Sequence, residues 1–161
     1  MPIPTSIQKH LTDRGVSFEV ITHRRAYTAQ EEAAVTHVPG REWAKTVVCF
    51  ADAEPILAVL PALYNVDTER LRRLVGAKAC RMATEPELAP LYPECEPGAM
   101  PPLGALYGQR VFVDKTLAED PAIVFNAGTH VDAIRMPYAD FARLVQPVVG
   151  DFGVRIQQSV H

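Results

Sequence analysis

Apolar positions along this chain change their period several times, and the changes mark out short, interleaved helices and strands. The organising stretch is residues 43–61. Two apolar runs, Thr46–Phe50 and Ile56–Leu60, flank the polar turn Asp52-Ala53-Glu54-Pro55. Runs of this length predict a hairpin of two strands buried on both faces, ended by Pro61. Ahead of it, Ile7 and Leu11 stand one helical turn apart behind a Thr5-x-x-Gln8 capping box, with Gly15 as the stop. Val16, Phe18 and Val20 alternate with Ser17 and Glu19, the period of a half-buried strand. Thr28-x-x-Glu31 opens a helix that runs through Val35 and stops before Pro39-Gly40.

After the hairpin, Asp67 or Thr68 caps a helix with Leu71, Leu74 and Val75 on one face and Gly76 past its end. Ala79–Met82 reads as a short strand. Thr84-x-x-Glu87, with Pro86 in the first turn, opens another short helix. Six of the fourteen prolines lie between Pro86 and Pro102. The stretch Gly98–Gly104 can be neither helix interior nor central strand, because its prolines lack N–H donors, and it is expected to form a stiff surface loop. Arg110–Val113 and Ala122–Asn126 read as strands joined by a turn of helix near Asp114–Leu117. A tight polar turn, Asn126–His130, leads to a strand at Ala133–Met136 and to a last helix, begun near Pro137, that carries Phe141, Leu144 and Val145. The pattern fades beyond Pro147, so residues 1–147 are expected as one domain and 148–161 as a loose C-terminal tail. Irregular interleaving with few long crossovers predicts an α+β fold, a curved, mostly antiparallel mixed sheet flanked by helices.

Composition sharpens this picture by exclusion. In 161 residues, 48% apolar and 22% charged positions predict a packed core rather than disorder. The opening Met1-Pro2-Ile3-Pro4 has no basic region followed by an apolar run, which predicts no secretory leader. No apolar stretch is long enough for a membrane span. Three cysteines, Cys49, Cys80 and Cys95, without a C-x-x-C, fit a reducing cytoplasm, with Cys49 as a small core residue. The net charge of −3 argues against non-specific nucleic-acid binding. The five histidines show no ligand spacing, so neither a metal nor another cofactor is expected. Arg70, Arg72, Arg73, Lys78 and Arg81 cluster on and after one helix and read first as a solvated face, with a phosphate-contacting edge at Arg70 and Arg73, which share a helix side, as the other use.

Three features stand out as candidate chemistry. Lys45 opens a buried strand, where its ammonium must keep water, reach an anion or bear desolvation; by itself it reads as a lysine snorkelling from a strand end. Gly98-Ala99-Met100-Pro101-Pro102 forms a stiff loop. Asn126-Ala127-Gly128-Thr129-His130 forms a polar turn after an apolar strand.

The order and wording of five segments carry a resemblance. Ala44-Lys45-Thr46-Val47-Val48, Leu57–Pro61, Leu71–Ala77, Glu96–Pro102 and Asn126-Ala127-Gly128 together resemble the YbaK/ProX-type aminoacyl-tRNA deacylases. These are freestanding relatives of the editing domain inserted in bacterial prolyl-tRNA synthetases. The resemblance covers roughly residues 20–145. It implies a monomeric, mixed-sheet fold and metal-independent hydrolysis of the ester joining a wrong amino acid to tRNA(Pro) or a related tRNA. Its partner is the tRNA acceptor end, not a membrane. It implies that Lys45 is the residue most closely tied to activity, and that Gly128 and His130 belong to the catalytic turn. It further implies that Gly98, Ala99, Met100, Pro101, Asn126 and Thr129 line the aminoacyl pocket. The expectation is of two opposing walls, loop and turn, with Lys45 at the mouth and free N–H groups at Gly128 and Thr129. Enlarging Ala99 or Gly128 would then reject larger amino acids first. Two roles are open to Lys45, holding the terminal phosphate or polarising the carbonyl. His130 is either a pocket residue that tunes specificity or a plain turn histidine. Trp43 is read as packing, with stacking on a terminal base as its other use. The contrasting functions are a non-catalytic module that binds an aminoacyl or nucleotide end, and a hydrolase of small non-RNA esters. The amino acid removed, among alanine, serine, cysteine and threonine, stays open.

Overall fold

The computed structural model describes residues 3–156. Helix α1 (Thr5–Asp13) lays Ile7 and Leu11 into the core. Pro4 stands at its N-cap, so the Thr5-x-x-Gln8 box is not used; the Gln8 amide donates to the Ile3 carbonyl instead. At its other end the Gly15 N–H donates to the Thr12 carbonyl and the Val16 N–H to the Leu11 carbonyl. With Gly15 at φ +68°, this is a helix-ending motif that spends Val16 as its hydrophobic lock. Strand β1 therefore begins later than the alternation suggests, at Glu19–Thr22.

Helix α2 (Ala29–Thr36) starts where Thr28 caps it, its hydroxyl accepting from the Glu31 N–H at 3.1 Å. The central hairpin forms as its apolar runs require. Strands β2 (Ala44–Ala51) and β3 (Glu54–Pro61) pair antiparallel, with Lys45 opposite Leu60. Their alternate residues feed two different cores. Val48, Leu57 and Val59 face one side, and Cys49, Ile56, Ala58 and Leu60 the other. Leu57 and Leu60 are fully buried, and each such side chain contributes about 2 kcal/mol.

A short strand β4 (Tyr64–Val66) precedes helix α3 (Thr68–Val75), which Asp67 caps through its carboxylate and Gly76 ends at φ +80°. Strand β5 (Cys80–Met82) pairs with β2. Helix α4 (Glu85–Leu91) starts at Thr84, whose N–H and hydroxyl both donate to Glu87. Strand β6 (Val111–Asp114), helix α5 (Lys115–Ala118), strands β7 (Ala122–Asn126) and β8 (Asp132–Pro137), and helix α6 (Tyr138–Val145) follow within a residue or two of the periodicity.

The strands β5-β2-β3-β6, extended by β9 (Val148–Gly150), form a five-stranded mixed sheet. Its β2 neighbours are antiparallel, and β3-β6-β9 run parallel. A second sheet, β1-β8-β7, is antiparallel, and the parallel bridge Trp43–Val124 ties it to the start of β2. Strand β10 (Gly153–Arg155) pairs with β4. The fold is thus α+β, with its antiparallel majority spread over separate sheets.

Two expectations need correction. Residues 148–155 are not a loose tail: β9 and β10 are ladder strands, and the fully buried Phe152 donates its N–H to Asp114 at 2.9 Å. Three-residue edge strands, with Val148 and Val149 nearly half exposed, are too short to show a period. Residues 157–161 of that expected tail lie outside the described ones. The proline-rich stretch is stiff, as expected, but it is not on the surface. Ala99–Gly104 are buried, and Met100 and Leu103 belong to the main core. Proline is barred from ladders, not from interiors, and hydrogen bonds outside any ladder take up the Ala99 N–H and the Ala99, Leu103 and Gly104 carbonyls.

Candidate active site

The Asn126–His130 turn is a self-organised unit. The Thr129 hydroxyl donates to Asp132 at 2.7 Å and accepts from the Asp132 N–H at 3.0 Å, and the Ala127 N–H donates to the Asp132 carbonyl at 3.0 Å. The loop Glu96–Ala99 is stitched to it. The Gly128 N–H donates to the Ala99 carbonyl at 2.9 Å, and the Glu96 N–H to the Gly128 carbonyl at 2.8 Å. The His130 N–H donates to the Glu96 carboxylate at 2.8 Å, and its Nε2 donates to the Pro97 carbonyl at 2.8 Å. Loop and turn are therefore adjoining parts of one hydrogen-bonded wall. The reason is the open backbone valence of two non-ladder segments, which each satisfies on the other.

This stitching redistributes the expected roles. The Gly128 N–H is committed to Ala99, and the missing Cβ of Gly128 faces Pro4 and Ile7, away from the turn's polar side. The Thr129 side chain is committed to Asp132, while its N–H donates to no group among the described residues. Ala99, Met100 and Pro101 are buried, and Met100 belongs to the main core. Gly98, at φ +84°, leaves its open side toward the His130 ring, 3.6 Å from where a Cβ would stand. Met100 and Pro97 also line a cavity of about 110 Å³ with Leu88, Tyr92 and Cys95, on the α4 side of the loop.

Lys45 stands two residues beyond Trp43, and Asn126 two beyond Val124, the two residues of the parallel bridge. By alternation Asn126 lies on the Val124 side of β7, which α2 covers, while Lys45, opposite Leu60, lies on the Cys49–Leu60 side of the hairpin. Lys45 is half-buried, and its Nζ donates to Asn65 Oδ1 at 3.3 Å. Burial pulls its pKa below the usual lysine value, and no carboxylate pairs with it among the described residues. Trp43 is fully buried, so it packs and does not stack on a base. Arg70 pairs with Asp67 and Asp151, and Arg72 and Arg73 with Glu69, which leaves that helix face largely self-neutralised.

Two residues join the site that sequence reasoning had not placed there. Tyr27 is 68% exposed, with its ring centroid 5.7 Å from that of His130. Glu32 is 1% exposed on α2; its Oε1 accepts from Asn126 Nδ2 at 3.1 Å and lies 3.7 Å from His130 Nδ1. The cap that leaves Glu31 in water turns Glu32 inward, beside Ala33. The available signal was a glutamate on the small-residue face of that helix.

Burial raises the Glu32 carboxyl from 4.5 to about 7. A raised folded pKa means that the native state holds a proton that the unfolded chain has released. The stability linked to that proton is intact below about pH 4.5 and is lost as pH rises through about 7. Glu32→Gln is therefore expected to change the melting temperature little near pH 4.5 and to raise stability near pH 8, by on the order of 2–3 kcal/mol. Thermal melts of both proteins across that range check this; equal stability of the two at pH 8 contradicts it.

Comparison with known proteins places this wall in context. The model of the aminoacyl-tRNA editing domain family matches residues 23–144. The multifunctional Ser/Thr-tRNA deacylase ProXp-y of Escherichia coli K12 is 26% identical over 147 residues, covering 88% of this chain and 87% of that protein. A proline–tRNA ligase of Nitratidesulfovibrio vulgaris Hildenborough is 30% identical over 125 residues, covering 71% of this chain but 22% of the ligase. Among solved structures, a candidate trans-editing enzyme for prolyl tRNA synthetase superposes with a TM-score of 0.82 at 22% identity, covering 95% of this chain and 99% of that one. Among the described residues, no helix is long and apolar enough to cross a membrane, and no group of three or more His, Cys, Asp or Glu is placed to hold a metal.

Proposed function

As a member of the aminoacyl-tRNA editing domain family the chain is a tRNA-editing hydrolase, and we propose that it acts in trans, in the cytoplasm, as a monomer. Its substrate on this reading is a wrong amino acid esterified to tRNA(Pro) or a related tRNA. The observation that carries the reading is Lys45: a half-buried ammonium at the start of β2 without a carboxylate partner among the described residues. Such a group favours an anion that arrives with substrate.

The chemistry needs little more. A synthetase pocket discriminates one methylene by only ~1–3 kcal/mol, so a second hydrolytic site restores fidelity. An aminoacyl ester is already activated, and the site must place a water and stabilise the developing oxyanion. With the Gly128 N–H committed, that task falls to Lys45 and to the Thr129 N–H. The stitched loop and turn hold the wall in shape before substrate arrives, which saves ordering cost. Gly98, Asn126 and His130 face the ester from that wall, while Ala99, Met100, Pro101 and Gly128 support it from behind.

A panel of alanyl-, seryl-, cysteinyl- and threonyl-tRNA(Pro) tests the function. Turnover of at least one ester well above its spontaneous rate is expected. Tight binding without turnover of any would move the chain to the class of binding modules.

Tyr27 offers a platform for the terminal base beside His130. Base–aromatic stacking is worth roughly 1–3 kcal/mol. Tyr27→Ala is therefore expected to raise KM about five- to tenfold, with kcat nearly unchanged in steady-state assays. An unchanged KM would remove Tyr27 from the RNA contact.

A further inference from the structure

Behind His130 lies a group of buried polar atoms that the hydrolytic chemistry above does not use. Glu32 Oε2, Asn126 Oδ1 and His130 Nδ1 each lack a hydrogen-bond partner among the described residues, on side chains 1%, 7% and 6% exposed. Their hydrogen-bonding character is fixed by what the other end of each group does. Asn126 donates through Nδ2 to Glu32, so its free atom is the carbonyl oxygen. The Pro97 carbonyl can only accept, so His130 Nε2 carries a hydrogen, and a ring with that one hydrogen presents a lone pair at Nδ1. The free atom of Glu32 is a carboxylate oxygen. With Glu32 ionised and His130 neutral, the group is three acceptors and no donor. Trp43 Nε1 and His23 Nε2 are also unpartnered, but they are a donor and an acceptor, and their rings lie edge to face 6.2 Å apart.

The charge around this group is as one-sided as its hydrogen bonding. Two carboxylates approach His130. Glu96 is satisfied, taking Arg25 at 2.8 Å and the His130 N–H. Glu32 has no lysine or arginine partner among the described residues; its polar neighbours are the Asn126 amide and the His130 ring, which pairs with it as an ion only when protonated. An unpaired carboxyl so deeply buried costs stability unless something cationic compensates it.

We propose that Glu32, Asn126 and His130 form the subsite for the α-ammonium group of the aminoacyl ester, its three N–H donors meeting the three acceptors. The inference rests on the deacylase reading and adds to it the feature that the site recognises. An –NH₃⁺ group is a compact triple donor with one positive charge. It matches this set in number, in sign and in the absence of any acceptor of its own. Glu32 supplies the charge, Asn126 and His130 the remaining contacts. Tyr27, its ring mostly in water, stands beside the His130 ring at 5.7 Å between centroids. Recognition of the α-ammonium serves every aminoacyl-tRNA alike. It selects for an amino acid, as opposed to any other acyl group, and leaves side-chain discrimination to the rest of the wall.

The test compares the best substrate among alanyl-, seryl- and threonyl-tRNA with its α-hydroxyacyl counterpart, for example alanyl- with lactyl-tRNA, each rate divided by that of spontaneous hydrolysis. Charged hydrogen bonds are worth roughly 1.5–3 kcal/mol, so the wild-type protein is expected to prefer the ammonium ester about 10- to 100-fold in kcat/KM. Glu32→Gln is expected to lose that preference by slowing the aminoacyl ester and leaving the hydroxyacyl ester within about threefold. If no aminoacyl ester is hydrolysed, the functional reading itself fails. If wild type cleaves both esters equally, the deacylase stands and the ammonium subsite is wrong. If Glu32→Gln slows both esters equally, Glu32 positions the wall and does not read the substrate, which also overturns the proposal. Should Glu32→Gln fold poorly, the wild-type comparison decides without it.

Discussion

Lys45→Ala is expected to lower kcat/KM for deacylation at least about 100-fold, the usual cost of losing a group that stabilises developing charge. The melting temperature is expected to stay level or to rise slightly. Both halves follow from the same surroundings. Lys45 is drawn into a half-buried position at the start of β2, opposite Leu60, and burial lowers its pKa. At neutral pH the folded protein therefore bears a desolvation cost that the unfolded chain does not. Its compensation in the free protein is a single hydrogen bond to Asn65 at 3.3 Å. Removing such a side chain relieves that cost and leaves no buried carboxylate unpaired, so the fold has little to lose. The substrate, which brings a phosphate and a developing oxyanion, loses its cation. Steady-state kinetics on mischarged tRNA, with circular dichroism and a thermal melt, check both halves. Wild-type turnover in a folded Lys45→Ala protein would return Lys45 to a snorkelling strand-end lysine.

Gly128→Ala is expected to destabilise the protein by roughly 2–4 kcal/mol and to depress turnover of all mischarged tRNAs alike. Gly128 sits at φ +94°, where an L side chain is strained by about 1–2 kcal/mol. Its Cβ would stand 2.9 Å from Cδ and Cγ of Pro4 and 3.4 Å from Ile7 Cδ1. The Pro4 ring cannot swing aside. It forms the N-cap of α1, whose Ile7 and Leu11 are fully buried, so relief requires the helix itself to shift. The turn would move with it and strain the Gly128–Ala99 and Glu96–Gly128 hydrogen bonds that hold the wall together. A size filter at Gly128 would act otherwise, rejecting large amino acids first. The new methyl instead points at α1, so the loss should be uniform across the panel. A Gly128→Ala protein with wild-type melting and a shifted substrate preference would contradict this geometry.

The stability and activity of Glu32 pull in opposite directions, and this gives the site its signature. A glutamine in its place is expected to stabilise the fold at alkaline pH and to weaken recognition of the amino acid. Retaining a buried carboxyl at the cost of stability is the pattern of a functional group.

Most of this protein's local architecture was determined by the sequence itself. The β2-β3 hairpin follows from two apolar runs around a polar turn, and α2, α3 and α4 begin where Thr28, Asp67 and Thr84 stand. These features depend on neighbours a few residues away, whose geometry the residue types impose on their own. The family, too, was written in five segments and their order, and the Lys45 strand, the glycine loop and the Asn-Ala-Gly turn were among them. Tertiary structure alone decided where the remaining groups went. Val148–Gly150 and Gly153–Arg155 are too short for a period, and their partners β6 and β4 are distant in the chain. Proline content described the stiffness of Gly98–Gly104 but not its burial, which depends on the core that Met100 and Leu103 enter. The commitment of the Gly128 N–H to Ala99 and the contact of Asn126 with Glu32, 94 residues apart, are likewise set only when separate elements meet. A glutamate in a helical sequence reads as solvated because water is its cheapest partner. Only the packing of α2 against β7 and β8 took that water from Glu32 and set its carboxyl beside Asn126 and His130.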